Sequence, residues 1–309
     1  MGISRNILLW ASENPWMRVH VPRLKFVRSA IKKFMPGESV NDALLAAQKF
    51  QEDSIPSVFT RLGENIQHLS KGLEVRDHYL DLIDKIAEQK LDIEISLKLT
   101  QLGFDISFEE TFDRFKTITQ KVEEKLGKMV WIDMEGSAYT EKTIFFYKKL
   151  KEEFDNVGLC LQAYLYRTEK DLEDLLSIGA NIRLVKGAYK EASYIAFNLK
   201  KDVDENYLHL SKIMLKHKSE KKIRVAFATH DEILCAKILN EAKHYSVPKD
   251  QVEFQMLYGI KAGYQRELTN HGYQVRVLIS YGDFWYPWYM RRLAERPANV
   301  WFVIKNLFN

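Results

Sequence analysis

Apolar residues along this chain fall into two alternating patterns. Short aliphatic runs alternate with longer stretches in which apolar positions recur every three or four residues. The short runs read as buried strands at 57–62, 92–99, 129–135, 158–164, 181–187, 222–230, 251–257 and 274–280. The longer stretches read as amphipathic helices. Residues 40–52 carry Ala43, Leu44, Ala47 and Phe50 on one stripe, with Ser39 placed to cap the start. Further helices are expected at 107–126, 141–154, 169–178, 205–216, 231–244, 262–270 and 283–295. Strands and helices in strict alternation predict an α/β fold, a (β/α)8 TIM barrel with parallel strands behind a ring of helices. The connections are short and no Pro/Ser-rich seam divides them. The expected organisation is a barrel domain over 39–309, preceded by an N-terminal helical extension over 1–38.

The extension is basic. Arg5, Arg18, Arg23, Lys25, Arg28, Lys32 and Lys33 face only Glu13 and, at its boundary, Glu38. Trp10, Trp16, Leu24, Phe26 and Val27 supply apolar partners. One reading is a helical cap packed on the barrel. The other is a surface that meets anionic lipid, an interface that basic amphipathic helices favour.

Composition narrows the picture. The chain has 309 residues, 46% apolar and 28% charged, as a folded domain requires. A net charge of +4 with no long basic run argues against nucleic acid as a partner. Two cysteines, Cys160 and Cys235, form neither a disulfide framework nor a CxxC pair, so a reducing compartment is expected. No apolar run approaches the roughly 20 residues that span a bilayer. The apolar piece at 7–11 is too short for a signal peptide. HExxH, GxxxxGK[ST] and GxGxxG are all missing, so neither zinc, a P-loop nor a Rossmann cofactor site is signalled.

Candidate chemistry collects at the carboxyl ends of the strands, where barrels of this type carry their active sites. The strand at 181–187 holds Arg183 and Lys186 among apolar residues and stops at Gly187, with Ala188 and Tyr189 following. Charges in a buried strand need partners, and a glycine lets backbone approach a ligand closely. The other ends carry Lys98; Asp133, Met134 and Glu135; Gln162 and Tyr164; Thr229 and His230; Gln255 and Tyr258. Lys98 and Asp133, on neighbouring strands, are expected to pair. Alone, Lys98 is also a candidate Schiff-base lysine. Arg291 and Arg292 are adjacent on the last helix and can converge on one carboxylate, with Glu295 within reach of either. Tyr281, Trp285, Tyr286, Trp288 and Tyr289 crowd the same segment and suggest a dry pocket. The remaining donors and cations suit a planar, phosphate-bearing ligand.

Six ordered segments then resemble the signature blocks of the proline dehydrogenase family, its short monofunctional bacterial members most closely. They are SLKL at 96–99, WIDME at 131–135, RLVKGAY at 183–189, FATH at 227–230, FQMLYG at 254–259 and RRLAE at 291–295. The resemblance implies a distorted (βα)8 barrel that binds FAD and oxidises L-proline to Δ1-pyrroline-5-carboxylate. Hydride would pass from substrate C5 to flavin N5, and electrons on to a membrane quinone. It implies that Arg291 and Arg292 grip the substrate carboxylate, that Lys98 lies over the ring paired with Asp133, and that Arg183 sits near flavin N5. Met134, Gln162, Lys186, Gly187, Ala188, Tyr189, Thr229, His230 and Gln255 would line the FAD. A cytoplasmic enzyme, peripheral on the inner face of the membrane at most, is expected, with no metal. A downstream aldehyde dehydrogenase domain, as in bifunctional relatives, is not.

The chain departs from the family at Leu278, where a tyrosine that packs on the proline ring is usual. That leaves open a flavin dehydrogenase for another cyclic amino acid. A lysine-based aldolase built on Lys98 or Lys186 and a flavin-binding barrel without catalysis are the readings from other classes.

Overall fold

The computed structural model describes residues 7–295 apart from 9, 13, 25, 26, 28–30 and 222. Eight parallel strands close into one barrel in sequence order. They are β1 (Ser57–Arg61), β2 (Ile93–Leu97), β3 (Val130–Ile132), β4 (Val157–Gln162), β5 (Asn181–Val185), β6 (Val225–Ala228), β7 (Glu253–Leu257) and β8 (Gln274–Tyr281). β1 closes the ring against β8, with Val58 opposite Leu278 and Arg61 opposite Tyr281. Each expected strand is present, mostly trimmed at its ends. Thr229 and His230, for example, follow β6 rather than extend it.

The helices with described bounds are α1 (Pro15–His20), α2 (Val40–Glu52), α3 (Leu69–Glu88), α4 (Phe108–Leu126), α5 (Ser137–Lys151), α6 (Thr168–Ser177), α7 (Lys200–Glu220), α8 (Glu232–His244), α9 (Ala262–Asn270) and α10 (Trp285–Glu295). The Ser39 cap is a full capping box with Asp42. α7 is longer than the apolar spacing at 205–216 predicted. Its first turns are held by Lys200 with Asp204 and Lys201 with Glu205, pairs four apart that leave no apolar signature.

Two apolar layers result. The larger fills the space between strands and helices. Inside the barrel Val58, Trp131 and Ala226 pack with Met129 and Leu278. Gly158 makes that layer possible, since a Cβ there would stand 2.4 Å from the Trp131 ring.

The described part of the N-terminal extension behaves as a cap on the last helix. Leu8, Ala11, Val27, Ile31 and Met35 bury themselves against Trp285, Tyr289 and Leu293 of α10. The indole of Trp285 donates to Glu38 at 2.9 Å. Trp10, Trp16, Val19 and Leu24 remain exposed on its outer side.

Candidate active site

One cavity of about 590 Å³ opens at the carboxyl ends of the strands. Lys98, Asp133, Met134, Gln162, Arg183, Lys186, Gly187, Ala188, Tyr189, Thr229, His230, Gln255, Leu278, Arg291 and Arg292 all line it. Glu295 ends α10, and its side chain lies outside the described part of the structure.

The expected pairing of Lys98 with Asp133 is not what forms. Lys98 donates to Glu64 at 2.5 Å, and Asp133 is held by Arg183 and by Ser96, whose hydroxyl donates at 2.9 Å. The reason is reach. Lys98 lies just past β2 and its long stem extends toward the loop after β1. The short Asp133 side chain stays in the barrel, where the buried Arg183 guanidinium crosses from β5 to meet it.

Glu64 therefore ties two elements together. Its carboxylate takes Lys98 and, as a fork, both outer nitrogens of Arg291 at 3.0 and 3.1 Å. Burial alone would raise its pKa. The charges of Lys98 and Arg291 outweigh burial and hold it down at about 2. Sequence reasoning missed Glu64, because a lone acid in a polar loop carries no periodic signal. The Arg291 guanidinium also lies over the Tyr189 ring, 5.5 Å from its centre. Burial raises the Tyr189 phenol, so it stays protonated beside these cations at neutral pH.

Arg183 is 2% exposed, and Nη1 donates to Gln255 Oε1 at 3.1 Å. Lys186 reaches outward to Asp204 at 2.5 Å and Asp231 at 3.2 Å. His230 accepts from the backbone N–H of Leu257 at 2.8 Å through Nε2, which fixes its ring against β7. Glu135 is buried and accepts from the Thr100 hydroxyl at 2.8 Å; burial raises its pKa.

Two features suit a bound planar group. Gly187 has φ of +107° and its backbone lies on the Tyr164 ring, where a Cβ would stand 2.1 Å from a ring carbon. Gln162 spends its NH2 on the carbonyls of Met134 and Glu135, both at 3.2 Å, and leaves Oε1 without a partner among the described residues. A buried acceptor lining a cavity is satisfied by a ligand N–H. These residues fit a flavin.

The family model described as proline dehydrogenase matches residues 43–305. Proline dehydrogenase 2 of Bacillus subtilis subsp. natto is 36% identical over 307 residues, covering 99% of each chain. The chain belongs to the proline dehydrogenase family. That makes it an oxidoreductase of a family of flavin enzymes. The proline dehydrogenase of Deinococcus radiodurans is 34% identical over 308 residues, covering 98% of this chain and 97% of that one. Among solved structures, proline utilization A from Bdellovibrio bacteriovorus, inactivated by N-propargylglycine, superposes with a TM-score of 0.79 at 25% identity. The match covers 87% of this chain and 33% of that one, so the family barrel is about a third of the larger protein.

Proposed function

We propose that the chain is an FAD-dependent L-proline dehydrogenase that yields Δ1-pyrroline-5-carboxylate, the first step of proline catabolism. The observation that carries this reading is the meeting of Lys98, Arg291 and Arg292 at the cavity, with Arg183 beside them, in a chain similar over its whole length to proline dehydrogenases. FAD, when bound, supplies the acceptor for the hydride that leaves substrate C5 and passes the electrons on to a quinone.

The chain's own residues do the rest. Arg291 and Arg292 hold the substrate carboxylate, for which a guanidinium fork is the matching shape. Lys98, close by, is a third cation, and the three outnumber the one carboxylate, Glu64, that pairs with Lys98 and Arg291. Like charge disfavours protonation, so the substrate amine binds with its lone pair free, the state from which a hydride can leave. Asp133 orients Arg183, whose charge would favour negative charge on a flavin bound beside it. Met134, Gln162, Lys186, Gly187, Ala188, Tyr189, Thr229, His230 and Gln255 hold the FAD. Leu278 borders the ring, with Glu295 on the same helix as the arginines.

Leu278 favours a second reading, a flavin dehydrogenase for a different cyclic amino acid. Anaerobic titration with L-proline, then 4-hydroxyproline and pipecolate, separates the two through bleaching of the flavin band. A colourless protein, or flavin that no ring bleaches, rejects both.

A quinone acceptor would have the enzyme work at the cytoplasmic face of a membrane. No described helix is long and apolar enough to cross a membrane, so contact would be peripheral, through the exposed Trp10, Trp16 and Val19 of the basic segment at 1–38. Co-sedimentation with anionic liposomes that survives deletion of residues 1–35 counts against this contact.

A further inference from the structure

Barrel interiors of this type are usually filled by branched apolar side chains. This one holds, besides its apolar layer, a cluster of charges next to Trp131 at the amino-terminal ends of the strands. Glu94 and Glu253, 1% and 7% exposed, face Arg224 and Arg276. Arg224 reaches Glu94 at 2.5 Å and Glu253 at 2.8 Å. Arg276 lies 3.5 Å from Glu94 and 3.8 Å from Glu253. Stability does not explain such a cluster, since well-packed apolar residues of the same volume do as well or better. Its contacts reach toward the cavity.

Two chains of contact rise from the cluster, and both end on Arg183. Glu253 accepts from Gln255 Nε2 at 2.8 Å, and the same amide offers Oε1 to Arg183 Nη1 at 3.1 Å. A carboxylate only accepts hydrogen bonds. Glu253 therefore forces the NH2 of Gln255 downward and its carbonyl upward, where a guanidinium can use it. On the other side, the Trp131 indole donates to Glu94 at 2.8 Å. Two guanidiniums lie over its ring, Arg183 at 5.2 Å and Arg224 at 5.4 Å from the centre.

We propose that Glu253 is a positioning residue for the reaction, fixing the Arg183 guanidinium through Gln255, with Glu94 supporting the same group through Trp131. This rests on the reading of Arg183 as the cation beside the flavin. A guanidinium held by Gln255, Ser96, Asp133 and the Trp131 ring is restrained from turning away from developing charge.

The test uses the holoenzyme and two variants. Glu253→Gln keeps the volume but offers either amide face, so Gln255 is free to invert. Gln255→Met cuts the same link with all four charges in place. Each is measured for kcat and KM with L-proline, for flavin midpoint potential and for Tm, alone and combined with Arg183→Lys. The expected result is a tenfold fall in kcat, KM within twofold, and a potential lower by about 30 mV, the two-electron equivalent of tenfold. Neither variant should add to the effect of Arg183→Lys. Folded variants with unchanged kcat and potential overturn the inference while the proposed function stands. If Glu253→Gln does not fold, the coupling of Gln255→Met to Arg183→Lys decides, and additive effects overturn it. A wild-type chain that proline does not bleach overturns the proposed function itself, and this inference with it.

Discussion

Glu64 and Arg291 form a two-pronged ion pair, with N–O distances of 3.0 and 3.1 Å, and Arg291 lines the cavity. The fork that would grip a substrate carboxylate is thus already filled by a protein carboxylate. Glu64 neutralises Arg291 and Lys98 together and joins the loop after β1 to the last helix. Removing one partner of a buried ion pair leaves the other charge uncompensated, at a cost of about 3–5 kcal/mol. Glu64→Gln should lower stability by that order. A bound substrate carboxylate supplies the lost anion, so L-proline should raise the Tm of the variant by more than it raises that of the wild type. Equal gains, measured by thermal melts with and without proline, would mean that the two carboxylates do not share Arg291.

The same pair makes an acid-side prediction. The Glu64 carboxyl is held down from an ordinary 4.5 to about 2, because Lys98 and Arg291 prevail over burial. A folded-state pKa below the unfolded one contributes stability that is fully present above the unfolded value. That contribution should be lost as pH falls from about 4.5 toward 2. Urea unfolding of the wild type between these limits should show a steeper loss of stability than Glu64→Gln, which has no proton to take up there. Parallel curves for the two proteins would place the acid sensitivity elsewhere.

At Gly187 backbone conformation and close approach coincide in the cavity wall. Its φ is +107°, and a Cβ would stand 2.1 Å from the Tyr164 ring. Gly187→Ala should therefore shift the turn after β5 and empty the cofactor site, read as the ratio of flavin to protein after purification. Tyr164→Leu in the same chain removes the ring contact but leaves the strained φ, which costs about 1–3 kcal/mol. Flavin content should recover only in part. A singly substituted protein with full flavin would show that the turn does not form the site.

How much of this was legible in the sequence varies with the range of the interaction. The strands were legible because both faces of a parallel barrel strand are buried, so aliphatic residues dominate each run even where a charge such as Glu94 or Arg183 interrupts it. Ser39 was legible as a cap because its partner Asp42 is three residues away. The cavity lining was legible because polar residues gather at the carboxyl ends of the strands, where barrels of this type carry their sites. Partner choice was not. Lys98 and Asp133 sit on adjacent strands, yet each finds its ion pair elsewhere, at Glu64 and at Arg183. Side-chain length and direction inside a closed ring decide this, and no spacing rule carries them. For the same reason Glu94 and Glu253 read as ordinary strand residues, although they meet Arg224 inside the barrel.

Leu278 is where substrate choice should be adjustable. It faces the interior of the barrel beside Val58, Trp131 and Ala226 and also lines the cavity, so its side chain helps to shape the space a substrate ring can use. Leucine fills that space with a short, branched group and no donor. A tyrosine there extends further into the cavity and brings a hydroxyl. Leu278→Tyr should shrink the space beside the ring, leaving room for proline but crowding a 4-substituted ring. One group more or less in such a pocket is worth about 1–3 kcal/mol, a factor of roughly 10–200. The ratio of kcat/KM for L-proline to that for 4-hydroxyproline should therefore rise at least tenfold in Leu278→Tyr, with flavin content unchanged. Leu278→Ala should move the ratio the other way, toward the larger ring. It should also lose stability, at most about 2–5 kcal/mol for a leucine cut back to alanine in a core. Ratios equal to that of the wild type in both variants would mean that the ring binds away from Leu278, and the pocket would then have to be sought nearer Tyr189 and Trp288.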